Sequence, residues 1–190
     1  MPSDPARNAL IVVDAQQGFH DPWWGPRNNP QAEENICLLL GVWRAHAQPV
    51  VLVRHDSVMP GSPLRPGQSG NDFLPGVDGA HDLLVTKSVN SAFYGTPDLD
   101  AWLRSREVDA VTICGITTNH CCETTARMAG NLGYQVTFVL DATCTFDRPD
   151  PSGVVVPAEV LARATATNLH GEFATVLTTA QACSVVQLPS

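Results

Sequence analysis

The chain has 190 residues, 44% hydrophobic and 16% charged, which suits a single domain over 1–190 with a sizeable core rather than two domains. Nineteen acidic residues against eleven basic give a formal net charge of -8. That balance excludes the basic face a nucleic-acid binder needs and has the wrong sign for an anionic membrane surface.

The opening MPSDPARN lacks the charged-then-apolar pattern of a signal peptide, and the apolar runs are too short to cross a bilayer. A reducing cytoplasm is therefore expected, with the six cysteines as free thiols. ALIVVD (9–14) has the short, nearly continuous, β-branched pattern of a strand covered on both faces. HDPWWGPRNNP (20–30) is a loop. QAEENICLLLGVWRAHA (31–47) is a helix that places Ile36, Leu39, Leu40, Trp43 and Ala47 on one stripe. PVVLVRH (49–55) is a second strand. DSVMPGSPLRPGQSGNDFLPGVDG (56–79) is rich in Pro and Gly and longer than an ordinary connection, so it reads as a cover over a site. DLLVTK (82–87) is the third strand. TPDLDAWLRSRE (96–107) is a helix with Thr96 as N-cap, Pro97 at the first helical position, and apolar Leu99, Trp102 and Leu103. AVTICGI (110–116), QVTFVLDA (135–142) and ATVLTT (174–179) complete six strands. TTARMAGNLGY (124–134) and PAEVLARATATNLHG (157–171) are helices, the second stopped by Gly171. Alternation of this kind implies an α/β protein. The expected fold is a three-layer α/β/α sandwich around a six-stranded, mostly parallel, Rossmann-like sheet.

Ligands of such sheets sit beyond the carboxyl ends of the strands. Asp14 ends the first strand, Lys87 ends the third, and Cys121 and Cys122 follow the fourth by one short turn. A thiol becomes a strong nucleophile as a thiolate, which an ammonium and a helix N-terminus both stabilise. A neighbouring carboxylate accepts the thiol proton and returns it to a leaving amine. Lys87 in turn keeps Asp14 charged and aimed. The three together read as an acyl-transfer site that needs no histidine. Cys122, Thr125, Ala126 and Ala129 share one helical face, so Cys122 packs; Cys121, about 100° away, points to the mouth. Adjacent His120, Cys121 and Cys122 cannot readily chelate one tetrahedral ion, and no second cysteine pair accompanies them. Read singly, Asp14 is better taken as a solvated strand-end residue or a cap, and Lys87 as a surface cation.

ALIVVDAQQGF (9–19), TKSVNSAFYGTPDLDAWL (86–103) and GITTNHCCETTARMA (115–129) carry a resemblance over residues 8–180 to the isochorismatase-like cysteine hydrolase superfamily, which includes nicotinamidases, N-carbamoylsarcosine amidohydrolases and streptothricin hydrolase. The family pattern is glycine, two residues, Thr-Asn/Asp, one residue, then the nucleophile. The resemblance implies Cys121 as nucleophile, with Asp14 and Lys87 completing the catalytic set. It also implies a cis peptide between Ile116 and Thr117, which lets the backbone N–H groups of Thr117 and Cys121 form an oxyanion hole. A homodimer or homotetramer acting on a small amide or lactam is implied as well. One departure matters. His55 and Ser57, in VRHDSVMPGSPL (53–64), stand where metal-containing nicotinamidases carry Asp and His. The match is therefore to the metal-free branch that holds streptothricin hydrolase, and no metal or other cofactor is expected. His55, Asp56 and Ser57 either shape the pocket or hydrogen-bond within their loop. Phe19, Trp24, Phe93 and Tyr94 are pocket walls, core residues or subunit contacts, with Trp23 more a contact than a wall. Asn90 and Ser91 position the lysine loop, Cys144 is a bystander thiol, and His81 is structural.

Overall fold

The computed structural model describes residues 7–187. Residues 1–6 of the MPSDPARN segment and residues 188–190, the ends of the expected domain, lie outside them. In chain order the main elements are β1 (Arg7–Val13), α1 (Ala32–Ala45), β2 (Val50–His55), β3 (Leu83–Lys87), α2 (Leu99–Ser105), β4 (Val108–Ile116), α3 (Glu123–Asn131) and β5 (Gln135–Cys144). There follow β6 (Arg148–Pro149), β7 (Val155–Val156), α4 (Ala158–Leu169), β8 (Thr175–Leu177) and α5 (Thr179–Gln187).

Six strands form one sheet in the order β3-β2-β1-β4-β5-β8, and each neighbouring pair is parallel. The strand pattern explains the layers. Successive side chains of a strand point to opposite faces, and β1 feeds two cores by turns. Ala9, Ile11 and Val13 pack on one face against Leu99 and Leu103 of α2 and Ala126 and Ala129 of α3. Leu10 and Val12 pack on the other against Ile36, Leu39, Leu40 and Trp43 of α1 and Ala182 of α5. Each fully buried Leu or Ile contributes about 1.5–3 kcal/mol of hydrophobic stabilisation. The expected three-layer α/β/α arrangement is therefore the observed one.

Two details differ from expectation. Thr96 does not cap α2 and Pro97 is not its first residue: the Thr96–Pro97 peptide is cis and Asp98 is the cap, accepting from the Ala101 N–H at 3.0 Å. Thr96 is instead committed to β3, exchanging two backbone hydrogen bonds of 2.9 Å with Thr86. The small antiparallel pair β6–β7 and the helix α5 have no counterpart in the pattern reading. Two-residue strands carry too little alternation to be seen in sequence.

The chain order reverses between β1 and β4, which opens a crevice at their carboxyl ends. Gly115 makes the close approach there possible. It has φ +128°, and a Cβ at this position would collide with the Val13 carbonyl. This glycine brings the end of β4 against the end of β1, immediately before Asp14.

Candidate active site

Four strand ends deliver four side chains to the crevice. Asp14 follows β1 with a left-handed backbone, φ 50°, a region that Asp tolerates better than most residues. His55 and Lys87 end β2 and β3 and are paired in register, so both side chains emerge together. Cys121 lies in the π-helical turn Thr118–Cys122 between β4 and α3. That turn is tied to the end of β5. Thr118 donates its hydroxyl to Thr143 at 2.8 Å, and Thr145 donates to Asn119 at 2.5 Å. Thr125 of α3 accepts from the Ala92 N–H at 3.1 Å, joining the cysteine helix to the lysine loop. Ser91 caps the short turn Ala92–Tyr94 of that loop through the Phe93 N–H.

The expected trio meets. Lys87 Nζ donates to Asp14 Oδ2 at 2.6 Å, and both side chains are wholly buried. Asp14 and His55 each place a ligating atom within 4.8 Å of Cys121 Sγ. The sulfur also lies 3.7 Å from Asn90 Oδ1. Cys121 is 8% exposed, whereas Cys122 is fully buried on the face it shares with Thr125, Ala126 and Ala129. Asp14 Oδ1 is buried and has no hydrogen-bond partner among the described residues, so one carboxylate oxygen stays open to accept a proton. The Ile116–Thr117 peptide is cis, and Thr117 immediately precedes the turn that holds Cys121.

The electrostatics bear on the expectation that the ammonium and the helix start favour the thiolate while Asp14 accepts the thiol proton. Burial, reinforced by the Asp14 charge, pushes the Cys121 thiol far above the ordinary cysteine value, and Lys87 opposes this only in part. The balance favours the thiol form of the sulfur beside the Asp14 carboxylate. Burial pushes Lys87 down, but the pull of Asp14 and Cys121 is stronger and leaves it above the ordinary lysine value. His55 is held below the ordinary histidine value by burial, with Asp14 opposing and Lys87 adding.

Asp14, His55 and Cys121 together offer three donor atoms of kinds that a transition metal takes. The Lys87 ammonium is already hydrogen-bonded to two of these residues, Asp14 and His55. A dication would have to displace it, so the donor set does not fit a resident metal.

The six pocket candidates separate. His55 is hydrogen-bonded to the cluster through Lys87, 3.3 Å from its Nδ1. Phe19 and Trp24 belong to one aromatic cluster. Phe19 is 4% exposed, its ring lies 4.8 Å from that of Trp24, and both rings pack with Phe146 at centroid distances of 6.1 and 5.4 Å on the side of the sheet that carries α1. Phe93 packs on the opposite core and faces Tyr134 at 6.1 Å. Ser57 makes loop bonds, accepting from the Met59 N–H at 3.3 Å. With exposed Tyr94 and Arg65 it lines an open cleft of about 680 Å³ beside the edge strand β3. Trp23 is solvent-exposed, His81 bonds within its own loop, and Cys144 is a buried bystander pushed up to about 12 by burial. All six cysteines are unbridged. Sequence reasoning missed Gln16 and Asn71, buried amides that clamp the backbone of His55 from two sides. Their one sequence signal is polarity next to a strand-end acid and within the long loop.

Residues 8–181 match the family model described as the isochorismatase domain, and the chain belongs to the isochorismatase family. It is 40% identical over 178 residues to the Bacillus subtilis isochorismatase family protein YrdC, covering 92% of this chain and 94% of that one. Nicotinamidase 3 of Arabidopsis thaliana is 32% identical, covering 73% and 74% of the two chains. Streptothricin hydrolase of Streptomyces noursei is 31% identical, covering 82% of this chain and 62% of its own. Among solved structures, an isochorismatase-family protein from Chromobacterium violaceum superposes with a TM-score of 0.90 at 39% identity, covering 98% of each chain. A cysteine hydrolase from Pseudomonas syringae gives 0.86 at 30% identity, covering 98% and 95%.

Proposed function

We propose that this chain is a cysteine hydrolase that cleaves a C–N amide or lactam bond of a small molecule through a thioester. The observation that carries the reading is the meeting of the Cys121 sulfur, the Asp14 carboxylate and the Lys87 ammonium at the carboxyl edge of the sheet. Similarity to a protein described as a cysteine hydrolase, and to a nicotinamidase and a streptothricin hydrolase, supports the class.

The steps follow from the geometry. Asp14 takes the thiol proton as substrate arrives, and the sulfur attacks the carbonyl carbon. Charge develops on the carbonyl oxygen, where the backbone N–H groups of Thr117 and Cys121 receive it. The C–N bond breaks, and protonated Asp14 returns its proton to the departing amine. Asp14 then deprotonates a water that attacks the thioester, releasing the acid and restoring the thiol. Lys87 balances the buried negative charge throughout. Forming the thiolate only at the moment of attack suits a sulfur whose thiol pKa burial raises.

A streptothricin-type lactam is the first substrate assignment, and the net charge of -8 suits such a cationic molecule. Nicotinamide and N-carbamoyl amides are the alternatives. The alternatives of another class are isochorismate vinyl-ether hydrolysis, which needs no thiol and leaves Cys121 without a role, and a non-catalytic thiol-containing binding protein, which would turn over no amide. The deciding experiment is a panel of small amides and lactams, including streptothricin and nicotinamide, with mass detection of an acyl group on Cys121. Turnover with no dependence on Cys121 overturns the mechanism.

A further inference from the structure

We propose that His55 is a positioning residue: its Nδ1 accepts one N–H of the Lys87 ammonium and so aims another at the Cys121 sulfur. The geometry stands by itself, while its consequence for turnover rests on the cysteine-hydrolase reading above.

An ammonium carries three N–H donors and no acceptor. The Lys87 side chain has no solvent exposure, so each donor needs a protein acceptor or remains unpaired at a cost. Asp14 Oδ2 takes one at 2.6 Å and His55 Nδ1 a second at 3.3 Å. The sulfur of Cys121, within 4.8 Å of a ligating atom of each of these two residues, is the acceptor left for the third. With two directions taken, the third cannot rotate away. Lys87 with Asp14 alone would be free to swing about that one bond.

His55 suits this task in chemistry and in placement. An ammonium only donates, so Nδ1 carries no proton and the neutral ring bears it on Nε2. Burial keeps the ring neutral around pH 7 against the pull of Asp14, with Lys87 adding to the effect; Asp56 nearby is committed to Arg54 at 2.8 Å. Because Nδ1 is already occupied by a donor, it does not also take the thiol proton, which leaves that role to Asp14. The His55 backbone is held from both sides. Its N–H donates to Gln16 Oε1 at 2.8 Å, and its carbonyl accepts from Gln16 Nε2 and from Asn71 Nδ2, each at 3.1 Å. Gln16 Nε2 also donates to the Asn71 carbonyl at 2.8 Å, and Asn71 Nδ2 to the Leu64 carbonyl at 2.9 Å. Two buried amides spent on one residue's peptide groups hold the imidazole in register with Lys87 at the strand ends.

Three variants test this: His55→Leu, which removes the acceptor; His55→Asn, whose side-chain oxygen falls near the Nδ1 position; and His55→Gln, which carries its oxygen one bond further out. The readout is the pH dependence of iodoacetamide alkylation at Cys121, followed by peptide mass and identified by its loss in Cys121→Ala. The Leu variant should alkylate roughly tenfold more slowly at pH 8, its profile displaced upward by about one pH unit. The Asn variant should stay within about threefold of the parent, and Gln should fall near Leu. A Leu profile equal to the parent's overturns the proposal, as does an Asn variant no better than Leu. Where Leu fails to fold by circular dichroism, Asn against Gln carries the test, and equal profiles overturn it. A parent enzyme that forms no acyl group on Cys121 with any amide overturns the hydrolase reading and leaves the alkylation comparison standing.

Discussion

Cys121 and Cys122 are adjacent, yet the structure gives them different work. Cys122 is sealed in the core, and Cys121 faces a carboxylate and an ammonium. Cys121→Ala should therefore abolish amide turnover, by roughly a thousandfold or more, with an unchanged circular dichroism spectrum. Cys122→Ala should keep turnover and lose about 1 kcal/mol of stability in denaturant melts, since it removes one buried sulfur. Lys87 belongs to the same cluster but also to the fold. Removing it leaves Asp14 charged and buried without a partner, so Lys87→Met should lose both turnover and about 3–5 kcal/mol of stability.

At the scale of elements, the site depends on connections between segments that carry no chemistry themselves. Gly115 lets β4 lie against β1 in a backbone conformation that L side chains rarely adopt. Gly115→Ala should cost about 3 kcal/mol or more, read as a lowered melting temperature or loss of soluble protein, because neither Val13 nor the strand pair can give way. Thr125 is a gentler case. Its hydroxyl accepts from the Ala92 N–H, so Thr125→Val should cost about 1–3 kcal/mol and lower turnover by loosening the lysine loop against the cysteine helix. Secondary structure at this scale was mostly legible because long apolar runs and helical stripes are local patterns. The start of α2 was not. Thr96 and Pro97 have the composition of a helix start, but a bridge to Thr86 claims Thr96 and leaves the cap to Asp98.

For the whole molecule, the buried thiols set an alkaline limit. Cys114, Cys121, Cys122 and Cys144 are all raised by burial. In the unfolded chain they ionise near the reference value of about 8.5. Their folded pKa lies above the unfolded one, so the stability they contribute is complete below that pH and is lost as pH rises past it. Thermal melts should hold steady from pH 7 to about 8.5 and fall at higher pH, and Cys144→Ala should flatten that fall. A second measurement at this scale concerns metal. Turnover should survive exhaustive chelation, since the position a dication would need is filled by Lys87. Loss of activity that zinc restores would overturn the metal-free reading.

Local order settled much of this protein in one dimension. The alternation of buried-strand and helix patterns determines a parallel three-layer sheet, because such strands must be covered on both faces and joined by crossovers. The strand-end positions of Asp14 and Lys87, and the turn after β4 that carries Cys121, follow from the same pattern. Tertiary structure decided what surrounds those groups. Gln16 and Asn71 became a clamp on His55, Phe19 joined the core with Trp24 packed against it, and burial raised the Cys121 thiol. Periodicity reports which face a residue occupies. Desolvation and hydrogen-bond partners depend on segments tens of residues away, and only the folded chain brings them together.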